Sequence, residues 1–136
     1  MKFIPLTIIS LISIVYAIYS KDNEAPFIFD NFELRTSINF DNLLNSLFKW
    51  KHILHYAITY WLGLYAYGKN EHKKVIIFCL VLGLLIETLQ GFVPTRGGSL
   101  TDIAPNILGI LIGYATSTAL KFKTNLRKEK KRGKNK

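Results

Sequence analysis

Four stretches of this chain are apolar, and polar segments separate them. Residues 3–20 (FIPLTIISLISIVYAIYS) carry no charge and follow Lys2. A run of that length is just enough to cross the hydrocarbon core of a bilayer. Its other reading is a cleaved signal peptide, but Tyr16, Ile18 and Tyr19 are too bulky for a small-x-small cleavage site, so residues 1–20 are predicted to be a retained signal anchor. Residues 50–68 form a second run, rich in the Tyr and Trp that suit membrane interfaces. Residues 75–93 form a third, which contains Glu87, and residues 102–120 a fourth. Pro105 fits the first turn of a helix, where a missing N–H is tolerated, so the fourth helix should start at Thr101 or Asp102. Asp102 would then serve as its cap or first-turn anion. The pattern predicts an all-α membrane protein, a bundle of four transmembrane helices.

The segments between the runs are of different kinds. Residues 21–49 are polar and mixed in charge, too long for a tight turn. Within them residues 40–48 (FDNLLNSLF) have the spacing of a short amphipathic helix, capped by Asp41 or Asn39. It would lie on the membrane surface or be an ordinary loop helix. Residues 69–74 (KNEHKK) make a short basic turn, and residues 94–101 (PTRGGSLT) a glycine-containing one. Residues 121–136 hold nine Lys or Arg against one Glu, a tail expected to be disordered and to attract anionic lipid. Basic segments stay in the cytoplasm. Both termini and the 69–74 turn are therefore expected inside, and the 21–49 loop and the 94–101 turn outside.

Composition changes the picture in two places. Hydrophobic residues make up 49% of the 136, yet the mean hydropathy is only +0.19, so they are concentrated in the runs. The net charge of +9 would suggest nucleic acid in a soluble protein. Here much of it lies in the tail, and the apolar runs argue for lipid and against a nucleic-acid partner. Cys79, the single cysteine, excludes an intramolecular disulfide, and no CxxC motif suggests zinc. No cofactor is predicted.

Polar residues inside the runs carry the functional signal, because charge inside a membrane is costly and by default functional. Gly83, Glu87 and Gln90 share one helix face at i, i+4, i+7. Asp102, Asn106, Gly109 and Gly113 share another. Each stripe joins small residues that permit close helix packing to polar ones that need partners. On the second run His52, His55, Thr59 and Gly63 also share a face. Two histidines at i, i+3 could hold a metal, but no third ligand is evident. The expectation is no metal, with His52 at the interface and His55 hydrogen-bonded to a neighbouring helix. Given the predicted orientation, His55, Glu87, Arg96, Asp102 and Asn106 should converge on the outer side.

Several chemistries suit that set. Glu87 is either a proton-carrying group or the ion-pair partner of Arg96. Arg96 beside Gly97 and Gly98 suits a phosphate, which guanidinium binds through two hydrogen bonds and glycine backbone N–H groups can approach. Glu87, Asp102 and His55 could supply acid–base catalysis. The structural alternative is a buried polar knot of Glu87, Arg96, Asp102 and Asn106 that ties the third and fourth helices together.

The string Glu87-x-x-Gln90-x-Phe92-x-Pro94-x-Arg96-x-x-Ser99-x-x-Asp102-x-x-x-Asn106-x-x-Gly109 resembles the VanZ-like family of small bacterial membrane proteins. So does His55, which heads an aromatic, apolar second span. The resemblance covers residues 51–114, with residues 50–120 as a three-helix core. Lys51-His52 stands where the family often has an Asp-Lys pair, so no role for that pair is carried over. The resemblance implies a multi-pass protein of the bacterial cytoplasmic membrane with a role in the envelope, since the founding member confers low-level resistance to the glycopeptide teicoplanin. Three functions are then open. The chain could bind an envelope lipid or amphiphilic drug in an outward-facing pocket. It could be an enzyme acting on a phosphate-bearing lipid. It could be an assembly subunit, with the Gly109/Gly113 face as its interface. Ligand-contact candidates are His55, Glu87, Gln90, Arg96, Ser99, Asp102 and Asn106; Gly83, Gly109 and Gly113 are candidates for helix packing.

Overall fold

The computed structural model describes residues 1–19, 32–36, 40–93 and 98–133. These residues are mostly helical. The order is α1 (Ile4–Ile18), β1 (Leu34–Arg35), α2 (Phe40–Leu47), α3 (Trp50–Tyr67), α4 (His72–Gln90), β2 (Gly98–Ser99), a 3₁₀ turn (Leu100–Asp102) and α5 (Ile103–Gly133). Each apolar run coincides with one long helix. Pro5 starts α1, where its missing N–H is no loss. Gly68 ends α3 at φ +121°, a conformation L side chains rarely adopt, and its N–H reaches Leu64 O.

Side-chain contacts set the helix directions. The Phe3 and Tyr67 rings meet edge-on at 5.2 Å, while Ser13 meets His55, so α1 runs antiparallel to α3. A four-residue turn reverses the chain between α3 and α4. Helix α5 runs parallel to α3: Gly109 packs against Ile53 and Tyr56, and Gly113 against the Tyr60 ring. A Cβ at Gly113 would lie 2.8 Å from that ring, and one at Gly109 would strike the Ile53 carbonyl. Glycine therefore sets how near α5 can come. The Gly109/Gly113 face is filled by α3 of the same chain, so it cannot be the interface to an assembly partner. At one end of the bundle Lys121 Nζ ties α5 to Asn70 Oδ1 at 2.6 Å. At the other end lie the start of α3, the end of α4 and the start of α5.

An apolar core of Tyr56, Tyr60, Leu64, Val75, Cys79 and Ile110 lies between the helices, yet many large apolar side chains face outward and several polar ones are buried. Ile8, Leu11, Ile12 and Val15 on α1, Leu54 and Ile58 on α3, Val81 and Leu84 on α4, and Leu111 on α5 are all exposed. Glu87, Gln90, Asp102, Asn106, Ser13, Ser46, Thr59 and Thr101 are buried. Helix α2 follows the same rule. Phe40, Leu44 and Phe48 point outward at helical spacing, and Ser46 points inward.

Several expectations need revising. Among the described residues one helical stretch, Leu100–Arg127, is long and apolar enough to cross a membrane by length and composition; α1 is apolar but has 15 residues. Helices α3 and α4 have 18 and 19 residues, about 27–29 Å at the α-helical rise. Helix α3 falls short in hydropathy because it carries His, Tyr and Lys, whereas α4 is apolar enough but carries three charged residues, Lys73, Lys74 and Glu87. The third helix covers 72–90 rather than 75–93. The tail is not disordered from residue 121: α5 continues through Gly133, because nothing before that glycine interrupts a run of good helix formers. Between α1 and α3 there is a short strand as well as the amphipathic helix. β1 pairs in parallel with β2, with Leu34 opposite Gly98 and Arg35 opposite Ser99. This ties the long loop to the turn after α4. Asn39 and Arg96 lie outside the described residues.

Candidate functional site

The start of α3, the end of α4 and the 3₁₀ turn meet at the end of the bundle that α2 covers. With α1 they border an open cavity of about 630 Å³. Ile9, Ile12, Phe48, Trp50 and Ile86 give it apolar walls. Its polar lining is Ser13, Lys49, Lys51, His52, His55, Gln90 and Asp102, with the Tyr56 side chain behind them. The cavity therefore has an apolar side along α1 and a polar, mostly cationic end.

Asp102 sits at the centre of the polar end. Lys49 Nζ lies 2.5 Å from its Oδ1 and 2.6 Å from its Oδ2. Ser46 Oγ is 3.0 Å from Oδ1 and 3.0 Å from Thr101 Oγ1, and Ser99 Oγ is 2.8 Å from the same Thr101 hydroxyl. Ser46 is placed to donate to both acceptors, and its single proton is drawn to the Asp102 carboxylate, the direction charge favours. The carboxylate expected to cap α5 is instead taken up by α2 and the residue before α3.

His52 and His55 turn to different partners. His52 Nδ1 is 3.1 Å from Asn106 Oδ1 on α5, and His55 Nε2 is 3.1 Å from Ser13 Oγ on α1. Among the described residues no group of three His, Cys, Asp or Glu side chains is placed to hold a metal. Glu87 is 2% exposed and not part of the cavity lining. Its Oε2 accepts the Ser99 N–H at 3.1 Å, which makes β2 a lid over the end of α4. Gly98 permits this approach, since a Cβ there would lie 2.5 Å from Glu87 O. Gln90 is buried at the cavity wall.

Of the sequence candidates, His55, Gln90 and Asp102 thus share the cavity. Asn106 joins it through His52, and Glu87 and Ser99 pack behind it. The expected Glu87–Arg96 pair lies outside the described residues. Lys49, Ser46, Thr101, Ser13 and Tyr56 were not singled out. Lys49 and Asp102 are 53 residues apart, and no local pattern links them.

A family model described as VanZ/LLP1 matches residues 3–121. No curated protein and no solved structure matches the chain.

Proposed function

The chain belongs to the VanZ/LLP1 family, and from that premise we propose that it is a multi-pass membrane protein whose outward-facing cavity binds an amphiphilic envelope ligand. Three observations support the membrane part. Large apolar side chains on all four long helices are exposed, while Glu87, Gln90, Asp102 and Asn106 are buried. Lipid has no polar groups to offer, so polar side chains turn inward. Helix α2 presents Phe40, Leu44 and Phe48 outward, as a helix lying in the interface does. Lys2, Lys69, Lys73, Lys74 and the basic end of α5 lie at the end of the bundle away from the cavity. The positive-inside rule puts that end in the cytoplasm and the cavity at the outer leaflet.

The observation that carries the ligand reading is the cavity itself. About 630 Å³ is the size of a small-molecule site. Its apolar wall suits an acyl or prenyl chain, and Lys49, Lys51 and His52 suit an anionic or hydrogen-bonding head group. A lipid-linked envelope intermediate, or the apolar chain and nearby polar groups of an amphiphilic drug, combines those two characters. Native mass spectrometry of protein purified from membranes in mild detergent tests this reading. Wild type should retain one amphiphile per chain, and Ile9→Trp, which fills the cavity from its apolar wall, should release it. Protein free of amphiphile, or equal retention in Ile9→Trp, would overturn the reading.

A catalytic reading draws on His52, His55 and Asp102 lining the same cavity. Incubating the purified protein with a phosphate-bearing lipid tests it. A product formed by wild type and lost in His55→Ala would make the protein an enzyme.

A further inference from the structure

Behind the cavity three polar atoms have no hydrogen-bond partner among the described residues: Tyr56 Oη, Glu87 Oε1 and Asn106 Nδ2. Their residues are 2%, 2% and 3% exposed. Such atoms are rare in pairs, and leaving them unbonded is costly. They belong to α3, α4 and α5, and two of them, Tyr56 Oη and Asn106 Nδ2, meet at Gly83. A Cβ on Gly83 would lie 3.2 Å from Tyr56 Oη and 3.3 Å from Asn106 Nδ2. Glu87 follows Gly83 by one turn on the same face of α4.

The chemistry of the three atoms is complementary. His52 engages the Asn106 carbonyl oxygen, so the amide N–H group is turned towards Gly83 as a donor. Glu87 Oε2 is used by Ser99, and Oε1 remains as an acceptor. The Tyr56 hydroxyl can do either. A donor, an acceptor and a hydroxyl on three helices suit a group that accepts one hydrogen bond while donating another. An amide N–H in the set disfavours a metal cation, and the carboxylate disfavours an anion.

We propose that Tyr56, Glu87 and Asn106 form a buried binding site for one hydroxyl group, with Gly83 providing the space. The hydroxyl accepts from Asn106 Nδ2 and donates to Glu87 Oε1. It is supplied by a water molecule or by a hydroxyl of the cavity ligand. Tyr56 lines the cavity as well as the site, and His52 lines the cavity and holds Asn106, so the two spaces share walls. The site stands on its own geometry and persists if the cavity takes no amphiphile.

A structure of the full chain in lipid, at a resolution that shows ordered water, tests the proposal. The expected result is density within hydrogen-bond reach of all three atoms. An isolated peak identifies water; density continuous with a molecule in the cavity identifies the ligand's hydroxyl. The three side chains bonded directly to one another, with nothing between, would overturn it. A second test uses the space. The methyl of Gly83→Ala would take the hydroxyl's place, so the variant should lose several degrees in Tm. It should lose them equally in a Tyr56→Phe background, where the methyl no longer meets the tyrosine oxygen. A rise in Tm in that background would show a dry gap filled by a better helix former, and would equally overturn the site.

Discussion

Lys49 and Asp102 close the polar end of the bundle, with Nζ 2.5 and 2.6 Å from the two carboxylate oxygens. The lysine stands in the link between α2 and α3, the aspartate in the turn that leads into α5. The pair therefore joins the loop before the three-helix core to its last helix. Asp102 is 10% exposed and Lys49 44%. This is a half-buried pair, worth more than a surface pair and less than a fully buried one.

Removing one partner should be worse than removing both. Lys49→Met leaves a buried carboxylate with Ser46 as its remaining described donor, and should cost about 1–3 kcal/mol. Asp102→Asn frees a lysine that water can reach, and should cost less. In a double-mutant cycle read by Tm in detergent, a coupling of about 1–2 kcal/mol is expected. Coupling near zero would show that the pair does not hold the two segments together.

The glycines of α5 should tolerate no side chain. Gly109→Ala meets backbone, which cannot turn aside, and Gly113→Ala meets a fully buried ring. Overpacking of this kind typically costs about 1–3 kcal/mol, and here α5 must shift as a whole. Membrane abundance should fall more for Gly109→Ala than for Gly113→Ala. Wild-type abundance for both would refute the close α3–α5 approach.

The proposed orientation can be read with the protein's own chemistry. Cys79 is fully buried and is the sole cysteine, so Cys79→Ser gives a background without reactive thiols. In intact cells, a membrane-impermeant maleimide should label Asp41→Cys and not Lys69→Cys. After permeabilisation both should react. Labelling of both in intact cells would contradict a cavity on the outer side and a basic turn within.

The end of α5 should be separable from the core. Lys121 ties α5 to Asn70, and the residues that follow it through Arg127 are exposed. The Lys and Arg of residues 125–136 suit anionic lipid, at about 1 kcal/mol per residue near the surface. A truncation after Thr124 should insert normally, keep its amphiphile and bind anionic vesicles more weakly. Loss of the amphiphile with normal insertion would give the tail a role in the site.

What the sequence determined by itself is local. The spacing of apolar residues placed four long helices and the short amphipathic one, because helix formation and sidedness depend on neighbours three and four positions apart. The stripes at Gly83–Glu87–Gln90 and Asp102–Asn106–Gly109–Gly113 marked the buried faces for the same reason, and the combined motif spacing carried the family. Partnership was decided by tertiary structure alone. Lys49 is an unremarked lysine in a loop until α2 folds back and sets it against Asp102. His52 and His55 share a helical stripe, yet adjacent helices claim them separately. The strand pair of Leu34–Arg35 with Gly98–Ser99 has too few residues to leave a period in the sequence. The meeting of Tyr56 and Asn106 at Gly83 needs three helices in register. A partner's identity depends on distance in space, and the chain records only distance along itself.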